Sequence, residues 1–371
     1  MKSANAVNRK KPDLRERLDA IVFIAVIGAL FILNLVIRPP DILVSERRAP
    51  TRLPAFTRQA LISGSFMDKF EDYAADSFVL RDGFRALKAA VVFGVFMQTD
   101  KSGLYLGAAG AGEFKPLDPA AVRLSAEKIK KAADSLKDCR VYYSMIPDKS
   151  VYAGKYLPGF DPASAEQILA GVLDDVAYIP LTGRLDADSF YKTDLHWNQR
   201  SIGGAASWLC EAMGAKIDLS AYTPLLAGEF KGVYAGQLAL PMTPDLMVYM
   251  DQPSLKAQRL NDATLSFEEC GVYDLDGFQG VDPYDIFLHG PQALILLENP
   301  GAPDGELYLF RDSYGSSLAP LLAGAYRRIT LIDLRYIDFR VLDQFIEFIP
   351  GADVLFLYSS QILNNPSVLK V

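Results

Sequence analysis

The chain is poor in the side chains that bind metals and build disulfide frameworks. Its 371 residues include two histidines and three cysteines, Cys139, Cys210 and Cys270. The cysteines are far apart and show none of the short separations typical of zinc ligands. One disulfide could form, but a framework of several is excluded, and we expect neither a metal nor a cofactor.

Clustered positive charge is also missing from most of the chain, whose formal net charge is −7. Residues 1–17 hold six basic and two acidic side chains, a net charge of +4, so the remaining residues carry −11. Nucleic-acid backbones call for clustered Lys and Arg. We therefore expect no nucleic-acid partner. Internal repeats, low-complexity tracts and a glycine-rich phosphate loop are absent as well.

One long apolar run is present, Ala20 to Ile37, in which Asn34 is the only strongly polar residue. At 1.5 Å per residue it is just long enough to cross the hydrocarbon core of a bilayer. Basic residues precede it: Lys2, Arg9, Lys10, Lys11, Arg15 and Arg17. Their excess favours a cytoplasmic N-terminus, and Arg38-Pro39-Pro40 would be a poor cleavage site. The run predicts an uncleaved, single-pass signal anchor in the cell membrane, with the chain from about residue 39 onward outside the cytoplasm.

Composition and periodicity divide the chain into segments. Aromatic residues recur at roughly helical spacing between residues 58 and 98, which predicts two helices broken near Asp76-Ser77. Residues 215–280 are rich in Pro, Gly and Asp, and we expect an insertion that could cover or shape a site. The predicted segments are a cytoplasmic tail (1–17), a transmembrane anchor (18–38), a connector and helical lead-in (39–100) and a main domain (101–371).

The last of these segments alternates between strand-like and helical patterns. Predicted strands are Val141–Ile146, Val176–Ile179, Ala293–Leu297, Leu307–Phe310, Ile329–Ile332 and Val354–Leu357, and predicted helices are Ala121–Leu136, Ser201–Met213, Ser316–Ala325 and Val341–Phe348. Such alternation favours an α/β fold whose mostly parallel sheet is covered on both faces. Ligands collect at the carboxyl ends of the strands in such sheets. Ser313 follows one of them.

Two short motifs contain the elements of acyl-transfer chemistry. The segment 191–198 places Asp194 two residues before His196, and the segment 307–315 places Ser313 just after a predicted buried strand. A nucleophilic hydroxyl, an imidazole that takes its proton and a carboxylate that orients the imidazole form a catalytic triad. Each motif also has a structural interpretation. An Asp-x-His pair can stabilise a loop, and a Ser after a strand can cap a helix.

Taken together, several motifs resemble the DHHW and alginate-acetylation branch of the SGNH-hydrolase-like superfamily. They are residues 190–197 (FYKTDLHW), 311–315 (RDSYG), 332–336 (IDLRY), 146–150 (IPDKS), 46–48 (ERR) and 76–81 (DSFVLR). They occur in the order of the family, with the Asp-x-His-Trp block before the Asp-Ser block. The resemblance implies a three-layer SGNH-hydrolase-like sandwich. It also implies Ser313 as nucleophile, His196 as general base and Asp194 as the carboxylate that orients it.

The resemblance implies an extracytoplasmic O-acetyltransferase that modifies an exported or cell-wall polysaccharide. Family members typically work beside a multi-spanning membrane acyltransferase that delivers the acetyl group. The same triad would serve a carbohydrate acetylesterase, so hydrolysis remains an alternative. A further alternative is a catalytically silent, membrane-tethered protein that binds glycans or recruits assembly partners.

Other residues are candidates for contact with substrate. Tyr191, Trp197 and Tyr314 could stack on a sugar, and Arg311 and Lys192 could contact carbohydrate or carboxylate groups; packing and solvated surface charge are the alternative interpretations. Gly315 and Gly290 are candidates for the oxyanion site. The sequence departs from the family pattern at Leu195, where a second histidine is expected, and at Pro291, where an asparagine is expected. Pro291 has neither a side-chain amide nor a backbone N–H.

Overall fold

The N-terminal helix α1, Leu14–Val36, contains the predicted anchor and starts with a capping box between Asp13 and Glu16. A computed structural model describes residues 13–154 and 160–371. The first twelve residues of the predicted cytoplasmic tail lie outside this range. Helix α1 has 23 residues, or about 35 Å at 1.5 Å per residue, and exposes most of its apolar side chains. It is long and apolar enough to span a membrane, although a signal sequence has the same properties.

The chain separates into two units, residues 1–88 and 89–371. After α1, the first unit contains the helices α2 (Arg58–Ile62), α3 (Ser65–Ser77) and the start of α4 (Arg81–Ala90). The break near Asp76-Ser77 is present, as predicted. A second break falls at Gly64, whose φ of 80° lies in the left-handed region that glycine adopts without strain.

The second unit contains thirteen strands and six further helices among its described residues. The strands are β1 (Asp100–Lys101), β2 (Leu104–Gly107), β3 (Gly110–Glu113), β4 (Arg140–Ile146), β5 (Ala177–Tyr178), β6 (Thr223–Phe230), β7 (Asp245–Asp251), β8 (Lys256–Asn261), β9 (Ser266–Cys270), β10 (Leu294–Glu298), β11 (Glu306–Arg311), β12 (Arg328–Ile332) and β13 (Asp353–Ser359). The helices are α5 (Pro119–Asp134), α6 (Pro162–Val172), α7 (Gly203–Ala212), α8 (Val233–Leu238), α9 (Ser313–Leu322) and α10 (Ser360–Leu363).

Eight of these strands form the main sheet, in the order β5-β4-β13-β11-β12-β10-β8-β9. The pairings from β5 to β12 are parallel, and those from β12 to β9 are antiparallel. The fold is therefore α/β with a mostly parallel sheet, as predicted. Strands β8 and β9 come from the predicted insertion, residues 215–280, and extend the sheet to its edge.

Alternate residues of the central strands supply two separate cores. In β11, Leu307 and Leu309 lie in one core with residues of α7 and α9, whereas Tyr308 and Phe310 lie in the other with residues of α5, α6 and α10. Successive side chains of a strand point to opposite faces, so the sheet is buried between two helical layers. This is the three-layer arrangement that the sequence predicted.

Each strand predicted between residues 101 and 371 is present, with its ends shifted by a few residues. The predicted helix Val341–Phe348 is shorter than expected: residues Phe339–Gln344 form a 3-10 helix, and irregular chain follows. The strands β1–β3 and β6–β9 were not predicted. Most of them are short or lack a clear alternation of buried and exposed residues, so periodicity gave no signal.

Candidate active site

Ser313 lies where β11 ends and α9 begins, at the carboxyl edge of the sheet. The side chain of Asp312 caps the helix: Oδ1 accepts the Tyr314 N–H at 3.0 Å, and Oδ2 accepts the Ser359 N–H at 2.7 Å. Asp312 thus ties the turn to the end of the neighbouring parallel strand. At Gly315, an added Cβ would lie 2.5 Å from the Cβ of Arg311. A glycine there lets the first turn of α9 pack directly on the strand that precedes it.

The loop that carries His196 is held against α9. The Tyr191 N–H donates to the His196 carbonyl at 3.1 Å. This bond brings the two sides of the loop, at residues 191 and 196, together. The indole N–H of Trp197 reaches the Tyr314 carbonyl at 3.0 Å and the Ser317 hydroxyl at 2.9 Å. Because Trp197 is fully buried, these bonds fix the position of the neighbouring imidazole relative to Ser313.

The three predicted triad residues come together in hydrogen-bond contact. The Nε2 of His196 lies 2.8 Å from the Oγ of Ser313, and its Nδ1 lies 2.7 Å from the Oδ1 of Asp194. A carboxylate accepts but cannot donate, so Nδ1 carries the proton and Nε2 is free to accept the serine hydroxyl proton. Both Asp194 and His196 are buried, and Ser313 is partly exposed. The arrangement is that of an activated serine hydroxyl.

Asp194 is oriented by backbone amides as well as by His196. Its Oδ1 accepts the His196 N–H at 3.1 Å, and its Oδ2 accepts the Val233 N–H, the first amide of α8, at 3.1 Å. The preceding residue, Gly232, leaves no space for a side chain, since an added Cβ would lie 2.3 Å from the Cβ of Asp194. The N-terminus of α8, within the predicted insertion, thus packs directly on the carboxylate.

A buried lysine, Lys149, is hydrogen-bonded to backbone carbonyls of the loop that carries Asp194 and His196. The Nζ of Lys149 donates to the carbonyls of Ala111 at 2.6 Å, Tyr191 at 2.6 Å and Asp194 at 2.8 Å. Three carbonyls match the three N–H groups of an ammonium. Burial nevertheless lowers the pKa of Lys149 to about 7. Lys149 follows the end of β4, so its position on the carboxyl edge of the sheet results from the same topology that places Ser313.

A tyrosine covers one face of the imidazole. The ring of Tyr284 is parallel to that of His196, with centroids 3.7 Å apart and an interplanar angle of 6°. Its hydroxyl donates to the Ser317 Oγ at 2.7 Å, the same oxygen that accepts the Trp197 N–H. Burial keeps the pKa of Tyr284 well above its usual value, so this ring is a neutral donor.

The aromatic residues proposed for sugar stacking pack in the interior. Tyr191, Trp197 and Tyr314 are all buried. The Tyr191 ring meets Phe230 edge-on, and the Tyr314 hydroxyl donates to the Leu195 carbonyl at 2.7 Å. None of these three rings offers an open face in this conformation. Sugar stacking on them would require the site to open.

The two proposed basic contacts lie in different environments. Arg311 is buried and pairs with Asp333, its Nη1 lying 3.1 Å from Oδ2, so it is not a solvated surface charge. Lys192 is half exposed and pairs with Asp188 at 3.0 Å. Its backbone N–H donates to Asp245 at 2.8 Å. Arg311 therefore supports the strand that leads to Ser313, and Lys192 remains accessible.

The proposed oxyanion amides are both engaged. The Gly315 N–H donates to the Asp312 carbonyl at 3.0 Å, and the Gly290 N–H to the Phe287 carbonyl at 3.3 Å. Leu288, His289 and Gly290 all have positive φ, which is unusual for the first two. As the first residue of α9, Ser313 has an amide that no carbonyl within the helix can accept. Its N–H is an additional candidate donor.

Local sequence patterns were less informative about several other residues that the structure brings to the site. Lys149 belongs to a motif used for the family resemblance. It also follows a predicted strand, and this position could have indicated a place at the carboxyl edge of the sheet. Gly232, Val233 and Tyr284 lie in segments without clear periodicity, where no local signal existed. Within residues 13–154 and 160–371, no group of three or more His, Cys, Asp or Glu side chains is arranged to hold a metal ion.

Two proteins with solved structures resemble this one along almost their whole length. A DHHW family protein from Eubacterium siraeum superposes with a TM-score of 0.58 at 18% sequence identity, covering 72% of this chain and 94% of that one. PatB1 from Bacillus cereus, in a structure with a sulfonyl adduct, gives a TM-score of 0.56 at 15% identity, covering 72% and 98%. The sequence matches no protein-family model, and no curated protein matches it significantly. The chain therefore has the fold of the DHHW family protein and of PatB1, the fold that its motifs predicted.

Proposed function

We propose that the protein is a membrane-anchored, extracytoplasmic O-acetyltransferase that acts on an exported or cell-wall polysaccharide. Ser313 is the nucleophile, His196 the general base and Asp194 the carboxylate that orients it. The observation that carries the proposal is the unbroken hydrogen-bond line from Asp194 through His196 to Ser313, with spacings of 2.7 and 2.8 Å. These distances match those that an activated serine requires.

In the first half-reaction, Nε2 of His196 takes the proton from the Ser313 hydroxyl as Oγ attacks the carbonyl carbon of an acetyl ester or thioester. The negative charge that develops on the carbonyl oxygen is stabilised by the backbone N–H of Ser313 at the N-terminus of α9, where the helix dipole is favourable. The tetrahedral intermediate collapses, and the alcohol or thiol of the donor leaves with the proton from His196. An acetyl-serine remains.

In the second half-reaction, the hydroxyl of a sugar gives its proton to His196 and attacks the acetyl-serine. The sugar ester forms, and Ser313 recovers the proton. Water in place of the sugar would give hydrolysis and make the protein an acetylesterase. The outcome depends on how far water is excluded after acylation, and α8 and Tyr284 pack closely around the buried Asp194 and His196.

The fold and the anchor support a function at the membrane surface. PatB1, which shares the fold, was solved with a sulfonyl adduct, and sulfonylation is a reaction of activated nucleophiles. Helix α1 is long enough to cross a bilayer, which would hold the catalytic unit beside a multi-spanning acyltransferase that delivers the acetyl group. In this arrangement the N-terminus is cytoplasmic, and the catalytic unit contacts the polysaccharide outside the cytoplasm.

Intact-protein mass spectrometry with an activated acetyl ester tests the proposal. We expect one acetyl adduct, mapping to Ser313, that is lost in Ser313→Ala and His196→Ala. A sulfonyl fluoride should label the same residue and block acetylation. Added glycan acceptors then separate transfer, which consumes the adduct with formation of an acetylated glycan, from hydrolysis, which releases acetate.

Two results would contradict the catalytic proposal. The first is the absence of both adduct and ester turnover. The second is unchanged polysaccharide acetylation in cells that carry Ser313→Ala. Either result would favour the alternative of a silent glycan-binding or scaffold protein.

A further inference from the structure

One polar side chain within α1 is bonded to a turn far along the chain. The Oδ1 of Asn34 accepts the N–H of Val79 at 2.8 Å, while its Nδ2 donates to the Leu30 carbonyl at 2.8 Å. Val79 lies between α3 and α4. The only strongly polar residue of the apolar run therefore fixes the α3–α4 turn against the helix that carries the predicted anchor.

The position of Asn34 sets the depth of this turn. It lies four residues before Arg38, which starts the polar, proline-rich connector. Helix α1 ends two residues after Asn34, at Val36, so Asn34 lies about 3 Å from the end of the helix along its axis. Interfacial segments bury their apolar faces roughly 5–10 Å into the boundary between headgroups and acyl chains. The turn is thus level with this boundary when α1 spans a bilayer.

Four exposed apolar side chains lie in this turn or in the helix α4 that follows it: Phe78, Leu80, Phe84 and Leu87. We call these four residues the apolar turn. Their exposed fractions are 38%, 67%, 48% and 61%. Phe84 and Leu87 lie three residues apart on one face of α4, and the Phe78 ring meets Phe84 edge-on at 5.7 Å. Leu80 has a φ of 60°, which is uncommon for a bulky residue. The backbone is held in a strained conformation that keeps a large apolar group exposed.

Beside these apolar residues, two arginines of α4 are fixed by ion pairs. Arg81 pairs with Glu46 at 2.6 Å and Arg85 pairs with the same carboxylate at 2.9 Å. Arg48 donates two hydrogen bonds of 2.7 Å to Asp76, and these bonds lower the pKa of the Asp76 carboxyl. These ion pairs join the connector to α3 and α4. The apolar turn therefore projects from a charged part of the structure that the ion pairs hold in place.

We propose that the apolar turn inserts into the outer leaflet and forms a second membrane contact beside α1. Two contacts hold the first unit in one orientation at the bilayer surface, whereas a single helix could rotate about its axis. The occupant we assign is lipid, because the link to Asn34 places these side chains at the depth where acyl chains begin. The inference rests on α1 spanning the membrane, which is part of the proposed function.

Tryptophan fluorescence of the full-length protein tests this contact. The protein is reconstituted into vesicles of phosphatidylethanolamine and phosphatidylglycerol that contain brominated phosphatidylcholine. Leu80→Trp reports the apolar turn, and Phe31→Trp, within α1, reports insertion of the helix. Leu265→Trp is the matched control, since Leu265 is also an exposed leucine, at 63%, with a φ of 54°. The emission of the parent protein is subtracted from each variant.

We expect blue-shifted Leu80→Trp emission that bromines near the headgroup quench more strongly than bromines deep in the bilayer. Leu265→Trp should show neither effect, and adding Asn34→Ala should reduce the quenching of Leu80→Trp. The inference is overturned if Phe31→Trp is quenched while Leu80→Trp behaves like Leu265→Trp. Equal quenching of Leu80→Trp and Leu265→Trp would overturn it too, as non-specific adsorption. An unquenched Phe31→Trp would instead reject the membrane anchor itself, and with it this contact.

Discussion

The ring of Tyr284 lies flat against the imidazole of His196, 3.7 Å away between centroids. Such a stack restricts rotation of the imidazole, so that its Nε2 stays directed at the Ser313 hydroxyl. Tyr284 acts on the nucleophile through His196, on which it stacks, so we assign it a positioning role. The stack links the 3-10 helix Pro283–Ile286 to the proposed general base.

Replacing Tyr284 with Leu should slow acetylation of Ser313 by roughly 2- to 13-fold, because an aromatic stack is worth about 0.5–1.5 kcal/mol. Tyr284→Phe keeps the ring and loses only the bond to Ser317, so its rate should stay close to that of the parent. Single-turnover acetylation followed by mass spectrometry measures both rates. Equal losses in the two variants would show that the hydroxyl, not the stack, is what matters.

Gly232 is the contact through which α8 approaches Asp194, and alanine should not be tolerated there. The added Cβ would lie 2.3 Å from the Cβ of Asp194 and 2.5 Å from the Thr193 carbonyl oxygen. Since backbone atoms must move, we expect a loss of stability of about 1–3 kcal/mol and at least a tenfold slower acetylation. Gly171→Ala is the control, because an added Cβ there meets nothing within 4 Å. A Gly232→Ala variant with the activity of Gly171→Ala would contradict the close packing of α8 on the acid.

The sequence was most informative where strong local patterns coincide with parallel topology. Buried runs such as Leu307–Phe310 indicate strands, and a serine after such a run must lie at the ligand-binding edge of a parallel sheet. The motif residues Asp194, His196 and Ser313 could therefore be named as a group, and the structure places them in contact.

Other parts of the site depend on packing between segments that carry no local signal. The stack of Tyr284 on His196 and the bond from Val233 to Asp194 join positions that are distant in sequence. Arg311 shows a second limit. Its charge suggested a solvated or substrate-facing side chain, but Asp333, more than twenty positions away, pairs with it in the core.

Lys149 should make stability depend on pH. Burial lowers its pKa to about 7, against 10.5 for an ordinary lysine. Between these values the unfolded chain binds a proton that the folded protein has released, so the free energy of unfolding rises with pH. The slope contributed by one such group is at most about 1.4 kcal/mol per pH unit.

Denaturant unfolding of the parent and of Lys149→Met at several pH values measures this effect. Trp197 and Trp208 both belong to the unit of residues 89–371, so their fluorescence follows that unit. We expect Lys149→Met to be destabilised at all pH values, since three buried carbonyls lose their donor. The difference between the two proteins should grow from about pH 7 upward. A difference that is flat or shrinks with rising pH would show that Lys149 stays protonated in the fold.

Asp333 should be far more important for stability than Asp338, although each pairs with an arginine two positions later. Asp333 is buried and also neutralises Arg311, whereas the side chain of Asp338 pairs at the surface with the exposed Arg340. Asp333→Asn would leave the guanidinium of Arg311 in the core without its counter-charge, which costs about 3–5 kcal/mol when a buried pair is broken. Asp338→Asn should change little, because water screens an exposed pair and asparagine still caps the following turn.

Thermal or denaturant unfolding of the two variants compares them directly, and acetylation of Ser313 provides a second measurement. Arg311 immediately precedes Asp312 and packs against Gly315, so a displaced guanidinium would move the turn that presents the nucleophile. We therefore expect Asp333→Asn to lose activity even below its unfolding transition, while Asp338→Asn keeps it. Equal stability of the two variants would mean that Arg311 finds other partners in the core. The turn at Ser313 would then be held by Asp312 and its bond to the Ser359 amide instead.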